Sequence, residues 1–88
     1  MKTIFKYQPP LDDRIEIRTH QGASLLSVQH QQGALTFWFL VDTERPIASY
    51  RYAVYGTGHP VEVPAGGMEH VATVQEPLLP LVWHIFEL

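Results

Sequence analysis

The chain alternates between apolar and polar residues in short runs that glycine, proline and polar residues interrupt. Alternation with a period of two is typical of β-strands, because successive side chains on a strand point to opposite faces. No window keeps apolar residues at helical spacing over three turns. The pattern predicts an all-β fold, a compact sandwich or small barrel of six to seven mostly antiparallel strands. The predicted strands cover residues 3–7, 14–18, 25–29, 35–42, 48–55, 71–75 and 81–86.

The fourth of these runs is apolar on both faces. Phe37, Phe39 and Val41 point one way and are predicted core residues, whereas Trp38 points the other way. A strand of this kind is usually central in its sheet or covered by a second layer. Its spacing from the preceding run predicts a hairpin that turns at residues 31–33. We expect both tryptophans of the chain to lie in the core.

The length of 88 residues and the absence of cysteine limit how the chain can be stabilised. We expect one β domain over residues 1–88, and a domain of this size buries only about 60% of its unfolded surface. No disulfide or thiolate metal site can support it. The 11% aromatic content favours an aromatic core, and the surplus of apolar residues predicts a homo-oligomer, most simply a dimer.

The charge and hydropathy of the chain limit the classes of partner that it can bind. The net charge is −3, the only lysines are Lys2 and Lys6, and the four arginines are scattered along the sequence. A nucleic-acid binder normally carries a clustered basic face, so we expect no nucleic-acid partner. The longest apolar stretch is far too short to span a membrane, and no signal peptide is visible. We expect an intracellular protein with no membrane partner.

The strongest candidate for a functional site is the turn that follows the fifth run. Tyr55, Gly56, Thr57, Gly58 and His59 stand there in sequence, with a proline directly after them. Glycine permits positive φ at two positions, and such a turn can direct backbone N–H groups into an anion-binding concavity. Thr57 would add a hydroxyl and His59 a donor near neutral pH. The same residues equally fit a glycine-rich structural turn with a capping threonine and an exposed histidine.

No other motif indicates catalysis or a metal. The five histidines are well separated, and no pair has the spacing of a recurrent zinc motif. His84 lies inside the last predicted strand, where we expect a hydrogen-bonded structural residue. The serines precede no glycine elbow, and no spacing indicates a base oriented by a carboxylate. We therefore expect a protein that is not an enzyme, with no catalytic residue, no metal and no cofactor.

Five segments can be compared with known families: residues 3–7, 26–29, 38–42, 83–87 and the motif Tyr55-Gly56-Thr57-Gly58-His59-Pro60. Together they resemble a family of small bacteriophage and prophage proteins, across nearly the whole chain. The resemblance implies a phage source and an early or accessory gene product, located in the host cytoplasm. It assigns no catalytic residues, but the recurrence of the motif implies that the turn matters for folding or binding.

These observations predict a non-enzymatic phage accessory protein, with a role in host interaction or in countering host defence. It would bind and neutralise a host protein, or sequester a small signalling ligand, through Tyr55, Gly56, Thr57, Gly58 and His59. An alternative is a structural or assembly homo-oligomer of the phage particle. A small hydrolase that uses His59 or His84 is a further alternative.

Overall fold

Seven antiparallel strands form two sheets that pack face to face in a computed structural model describing all 88 residues. The first sheet has the order β1-β4-β3 and the second the order β2-β5-β7-β6. The prediction of an all-β sandwich is confirmed, and the barrel alternative is not. The strands are β1 (Lys2–Tyr7), β2 (Arg14–His20), β3 (Ser24–Gln31), β4 (Ala34–Asp42), β5 (Ile47–Gly56), β6 (Glu69–Gln75) and β7 (Val82–Glu87).

The core lies between the sheets and consists of the inward residues of each alternating strand. Strand β4 is central in its sheet, and Phe37, Phe39 and Val41 on it are at most 1% exposed, as predicted. From the opposite sheet, Tyr52 packs on Phe37 with ring centroids 5.2 Å apart. Removing a side chain of this size from water stabilises the fold by roughly 1.5–3 kcal/mol. The aromatic rings therefore supply much of the stability of a small domain.

The hairpin between β3 and β4 turns at Gln32 and Gly33, within the predicted segment. Gln31 pairs with Ala34, and the two residues between them have φ values of 51° and 78°. Positive φ at both positions defines a type I′ turn, whose twist matches that of the flanking strands. Glycine adopts this conformation readily, whereas Gln32 is a non-glycine residue in the left-handed region.

The position of Trp38 corrects one prediction. Trp38 is half-buried on the outer face of the first sheet, so it lies outside the core, whereas Trp83 packs against the core cluster. Beside Trp38 on this outer face, Leu40 is 38% exposed and Ile4 is 57% exposed. No second layer covers β4 on this side. The apolar character of both its faces therefore reflects a central position and not burial on two sides.

Side chains, rather than strand pairing, connect the two sheets at their edges. On one side, the Tyr7 hydroxyl of β1 lies 2.8 Å from the Thr19 hydroxyl oxygen of β2. On the other side, His30 of β3 lies 3.0 Å from Glu76, which directly follows β6. No backbone ladder links β1 to β2 or β3 to β6, so the structure stays an open sandwich.

The fold contains no helix long and apolar enough to cross a membrane.

Candidate functional site

The predicted site forms a tight turn at the end of β5. The Gly56 carbonyl accepts a hydrogen bond from the His59 N–H at 3.1 Å, which closes a four-residue turn. Within this turn, only Gly58 has a positive φ, at +87°. Positive φ at the third residue alone defines a type II turn, in which glycine is strongly favoured. The prediction of positive φ is therefore right for Gly58 and wrong for Gly56.

Gly56 has a different role, because it admits the close approach of the His59 ring. A Cβ atom at Gly56 would lie 2.9 Å from His59 Cε1 and 3.0 Å from His59 Nδ1. It would also lie 3.4 Å from the Trp83 ring. The imidazole thus rests on the bare backbone of Gly56. The absence of a side chain at residue 56 leaves room for the exposed His59 ring to lie against the backbone.

The predicted row of free donors does not form, because internal partners occupy Thr57. Its N–H donates to the Val82 carbonyl at 3.3 Å, and its hydroxyl lies 2.8 Å from His84 Nε2. The Gly58 N–H, in contrast, has no acceptor within the chain. An anion-binding concavity needs successive free N–H groups. The turn therefore offers one free amide and the His59 ring, while Thr57 anchors it to β7.

The Thr57 hydroxyl begins a chain of polar side chains that crosses the second sheet. His84 contacts Thr57 through Nε2 and Thr73 through Nδ1, the latter at 3.2 Å. The Thr73 hydroxyl also lies 2.9 Å from His70 Nε2. The expectation that His84 is hydrogen-bonded within the fold is confirmed. Two histidines and two threonines from β6, β7 and the turn thus form one connected network.

Aromatic rings lie beside this network on the outer face of the second sheet, which is the face directed away from the core. Phe86 packs edge-on against Tyr55 at 5.9 Å and against His70 at 5.4 Å between ring centroids. The Arg14 guanidinium lies 5.8 Å from the centre of the Tyr55 ring. The Tyr55 hydroxyl donates to the Glu62 carbonyl at 3.3 Å. These contacts hold Tyr55 in one orientation at the rim of the turn.

Two depressions meet at His59. The first, of about 400 Å³, is lined by residues that we call the turn surface: Arg14, Tyr55, His59, Pro60 and Glu62, together with Asp13 and Val54. The second, of about 290 Å³, adds Leu11, Asp12, Gly56 and Trp83 to Asp13, Val54 and His59. The exposed His59 imidazole therefore lines both depressions, of which the first is polar and the second more apolar.

The arginines are less scattered in space than in sequence. Arg14 and Arg18 of β2 and Arg51 of β5 all point to the outer face of the second sheet and are exposed. Glu16 lies between them and is paired with Arg51 in the strand register. These three arginines are separated in the sequence, but the pairing of β2 with β5 brings them to one face. They give the outer face a local positive charge within a chain whose net charge is −3.

A second polar cluster, which the sequence did not predict, joins the two sheets. His30 Nε2 lies 3.0 Å from Glu76 Oε1, and the same oxygen accepts a hydrogen bond from Trp83 Nε1 at 3.0 Å. The second ring nitrogen of His30 is buried without a partner. One signal could have indicated the cluster, because His30 has the same strand parity as the core residue Val28. A histidine that points inward needs a polar partner.

No three His, Asp or Glu side chains converge in a way that could hold a metal ion. The two histidines that come together, His70 and His84, are connected through Thr73 and not through a shared ligand position.

The chain matches a domain of unknown function, DUF7352, over residues 1–88. It therefore belongs to that family. No curated protein and no solved structure has significant similarity to the chain.

Proposed function

We propose that this domain is a non-enzymatic phage accessory protein that captures a host protein through the turn surface and the adjoining outer face. The observation that carries the proposal is that internal contacts orient Tyr55 and that His59 lies on the bare backbone of Gly56, with both rings accessible. Rigid aromatic side chains and arginine are enriched at the centres of protein interfaces. The phage source and the accessory role rest on the resemblance of residues 55–60 and the flanking strands.

The shape and polarity of the turn surface favour a protein over a small signalling ligand. Small-molecule sites are concave and mostly apolar, with a few polar groups. The depression around Tyr55 and His59 is instead lined largely by charged and polar residues. From it, Phe86 and His70 continue across the sheet as a row of rings. An extended surface of this kind can contact several side chains of a partner.

A small hydrolase is supported less well by the geometry. His30 and Glu76 do form an imidazole–carboxylate pair, which a general base requires. However, Nε2 of His30 already contacts Glu76, and its Nδ1 is buried. Neither nitrogen can reach a substrate unless the ring moves. The pair fits a structural clamp between the sheets better than a catalytic base.

The proposal is tested by capture from a host lysate followed by titration with the purified partner. Crosslinking should identify contacts at Tyr55 and His59, and calorimetry should then measure the affinity of each variant. Tyr55→Ala should weaken binding by at least about tenfold, the loss expected for an interface hot spot. His59→Ala should weaken it while leaving the melting temperature nearly unchanged, because an exposed turn histidine buries little surface.

Ile4→Ala is the matched control, because Ile4 is an exposed apolar residue on the opposite outer face. It should bind the partner like the wild type. Folded Tyr55→Ala and His59→Ala variants with wild-type affinity would reject the turn surface as the binding site. Native mass spectrometry of protein purified from cells separates the alternatives. A co-purifying small molecule would favour ligand sequestration, and a large homo-oligomer without a partner would favour the assembly role.

A further inference from the structure

The edge of β2 carries unpaired backbone groups. The Val54 N–H donates to the Asp13 carbonyl at 3.0 Å, which marks residues 13 and 54 as a hydrogen-bonded pair of the β2–β5 ladder. Such pairs recur at every second residue of an antiparallel ladder. Odd-numbered residues of β2 therefore bond to β5. The N–H and C=O groups of Arg14, Glu16 and Arg18 point to the opposite side, where no strand is paired.

The side chains on this edge are complementary to themselves in the register that pairs the whole of β2. Arg14, Glu16 and Arg18 are exposed on the outer face, and Glu16 and Arg18 form no ion pair within the chain. If a second copy of β2 pairs antiparallel about Ile17, each Glu16 lies directly opposite Arg18 of the other copy. The hydrogen-bonded pairs of this ladder are then the even-numbered residues, so the free backbone groups of both edges meet. Opposite charges directly across a ladder stabilise the pairing.

Neighbouring registers are disfavoured by the same charges. A ladder centred on Glu16 sets Glu16 against its own copy and Arg14 against Arg18. A ladder centred on Arg18 sets two Arg18 side chains against each other. Like charges directly opposite are destabilising. A ladder centred on Ile15 also sets Arg14 opposite Glu16, but it pairs only residues 14–16 of β2 with each other. The ladder centred on Ile17 forms two glutamate–arginine pairs and also pairs all seven residues of β2.

The other three edges are poorer candidates for self-pairing. Strands β3 and β6 have irregular registers at residues 25–27 and 70–72, and bulges of this kind protect an edge. On β1, the Thr43 N–H donates to the Met1 carbonyl, so odd-numbered residues of β1 bond to β4. The backbone N–H and C=O groups of Lys2, Ile4 and Lys6 therefore point to the free edge. Self-pairing centred on Ile4 would set Lys2 against Lys6. Strand β2 is therefore the one regular edge whose charges favour a second copy.

We propose that two copies of this chain associate through β2 as a twofold dimer with the axis between the two Ile17 residues. The four-stranded sheets of the two copies, each with the order β2-β5-β7-β6, then form one continuous sheet with the two β2 strands at its centre. Because side chains opposite each other in a ladder share a face, both turn surfaces lie on the same side of this sheet. The inference rests on the strand register and the charges, and not on the proposed function.

Charge exchange tests the dimer and its register together. Light scattering across micromolar concentrations should give twice the 10.0 kDa chain mass for the wild type. Glu16→Arg and Arg18→Glu should each give a monomer, because each places like charges opposite one another. Mixing the two single variants should restore a dimer, since every position then faces its opposite charge. The double variant Glu16→Arg/Arg18→Glu should also dimerise by itself.

Lys6→Glu on β1 and Glu69→Arg on β6 are matched controls, since they change charge on other edges. Both should remain dimeric. Hydrogen exchange adds a measurement that needs no variant, because the amides of Glu16 and Arg18 should gain protection as the concentration rises. A wild-type monomer throughout the range would overturn the proposal. A dimer that tolerates both single charge reversals, or leaves these amides unprotected, would overturn it equally.

Discussion

Removing the Glu76 carboxylate should destabilise the protein more than its place in a loop suggests. Glu76 follows β6, yet only 17% of its side chain is exposed, and its Oε1 contacts both His30 Nε2 and Trp83 Nε1 at 3.0 Å. Glu76→Ala removes the carboxylate oxygen that contacts both His30 Nε2 and Trp83 Nε1. The side chain of His30 is only 11% exposed, so water cannot readily replace the lost contact.

The expected loss follows from two polar groups left without partners. A buried donor or acceptor that loses its partner costs about 1–3 kcal/mol. Trp83 is only half-buried, so its share lies at the lower end of that range. We expect Glu76→Ala to lower the free energy of unfolding by about 2–4 kcal/mol, a large part of the stability of a small domain. Glu76→Gln keeps an oxygen acceptor for Trp83 and should cost only about 1 kcal/mol.

Urea unfolding followed by tryptophan fluorescence measures these losses, because Trp83 belongs to the cluster. A double-mutant cycle with His30→Phe separates the pair from its surroundings. The coupling between Glu76 and His30 should be about 0.5–3 kcal/mol, the range for residues in direct contact. A loss below about 0.5 kcal/mol for Glu76→Ala, or no coupling in the cycle, would refute the clamp.

Three further predictions concern the core, the turn and the alkaline limit of stability. Phe39→Ala should cost about 3–5 kcal/mol in urea unfolding, because the side chain is fully buried, and a loss near zero would contradict the core assignment. Gly58→Val should lower the melting temperature because a β-branched residue is strained at positive φ, whereas Gly56→Ala should displace the His59 ring with a smaller loss. Burial raises the pKa of Tyr52 above its ordinary 10.0, with Glu87 and Tyr50 adding to the shift. The folded state thus keeps a proton that the unfolded chain loses, so this contribution to stability is complete below about pH 10 and declines above it. Tyr52→Phe should flatten that alkaline decline in thermal melts, and an unchanged slope would contradict the assignment.

The strands could be predicted from the sequence because alternation is a local property. Every predicted run corresponds to an observed strand, and no predicted end differs from the observed one by more than two residues. Apart from the β3–β4 hairpin, the partners of the strands could not be predicted, because the pairing of β2 with β5, and of β5 with β7, depends on contacts between distant segments. The place of Trp38 was missed for a related reason. Periodicity separates two faces of a strand but does not show whether a second layer covers each of them.

The turn was predicted as a turn, but its internal contacts were not. The sequence contains two glycines separated by Thr57, and positive φ was an equal expectation for both. In the structure the two glycines have different roles. Gly58 adopts the positive φ that the turn needs, and Gly56 leaves room for the His59 ring. The bond from Thr57 to His84 joins residues in different elements, and residue spacing does not reveal it. The hypothesis of free donors is wrong for Thr57, because its N–H and its hydroxyl both contact residues of β7.

The network that begins at Thr57 has a property relevant to binding. A neutral imidazole has one donor and one acceptor, and a hydroxyl has a single proton. If Thr57 donates to His84, then His84 donates to Thr73, Thr73 donates to His70, and His70 Nδ1 is left as a donor. If the direction reverses, His70 Nδ1 becomes an acceptor and the Thr57 proton is free. A partner that contacts His70 therefore sets the role of Thr57 at the other end of the network. The outer face can match a carbonyl or an N–H of a partner without moving its backbone, which suits a surface that recognises protein.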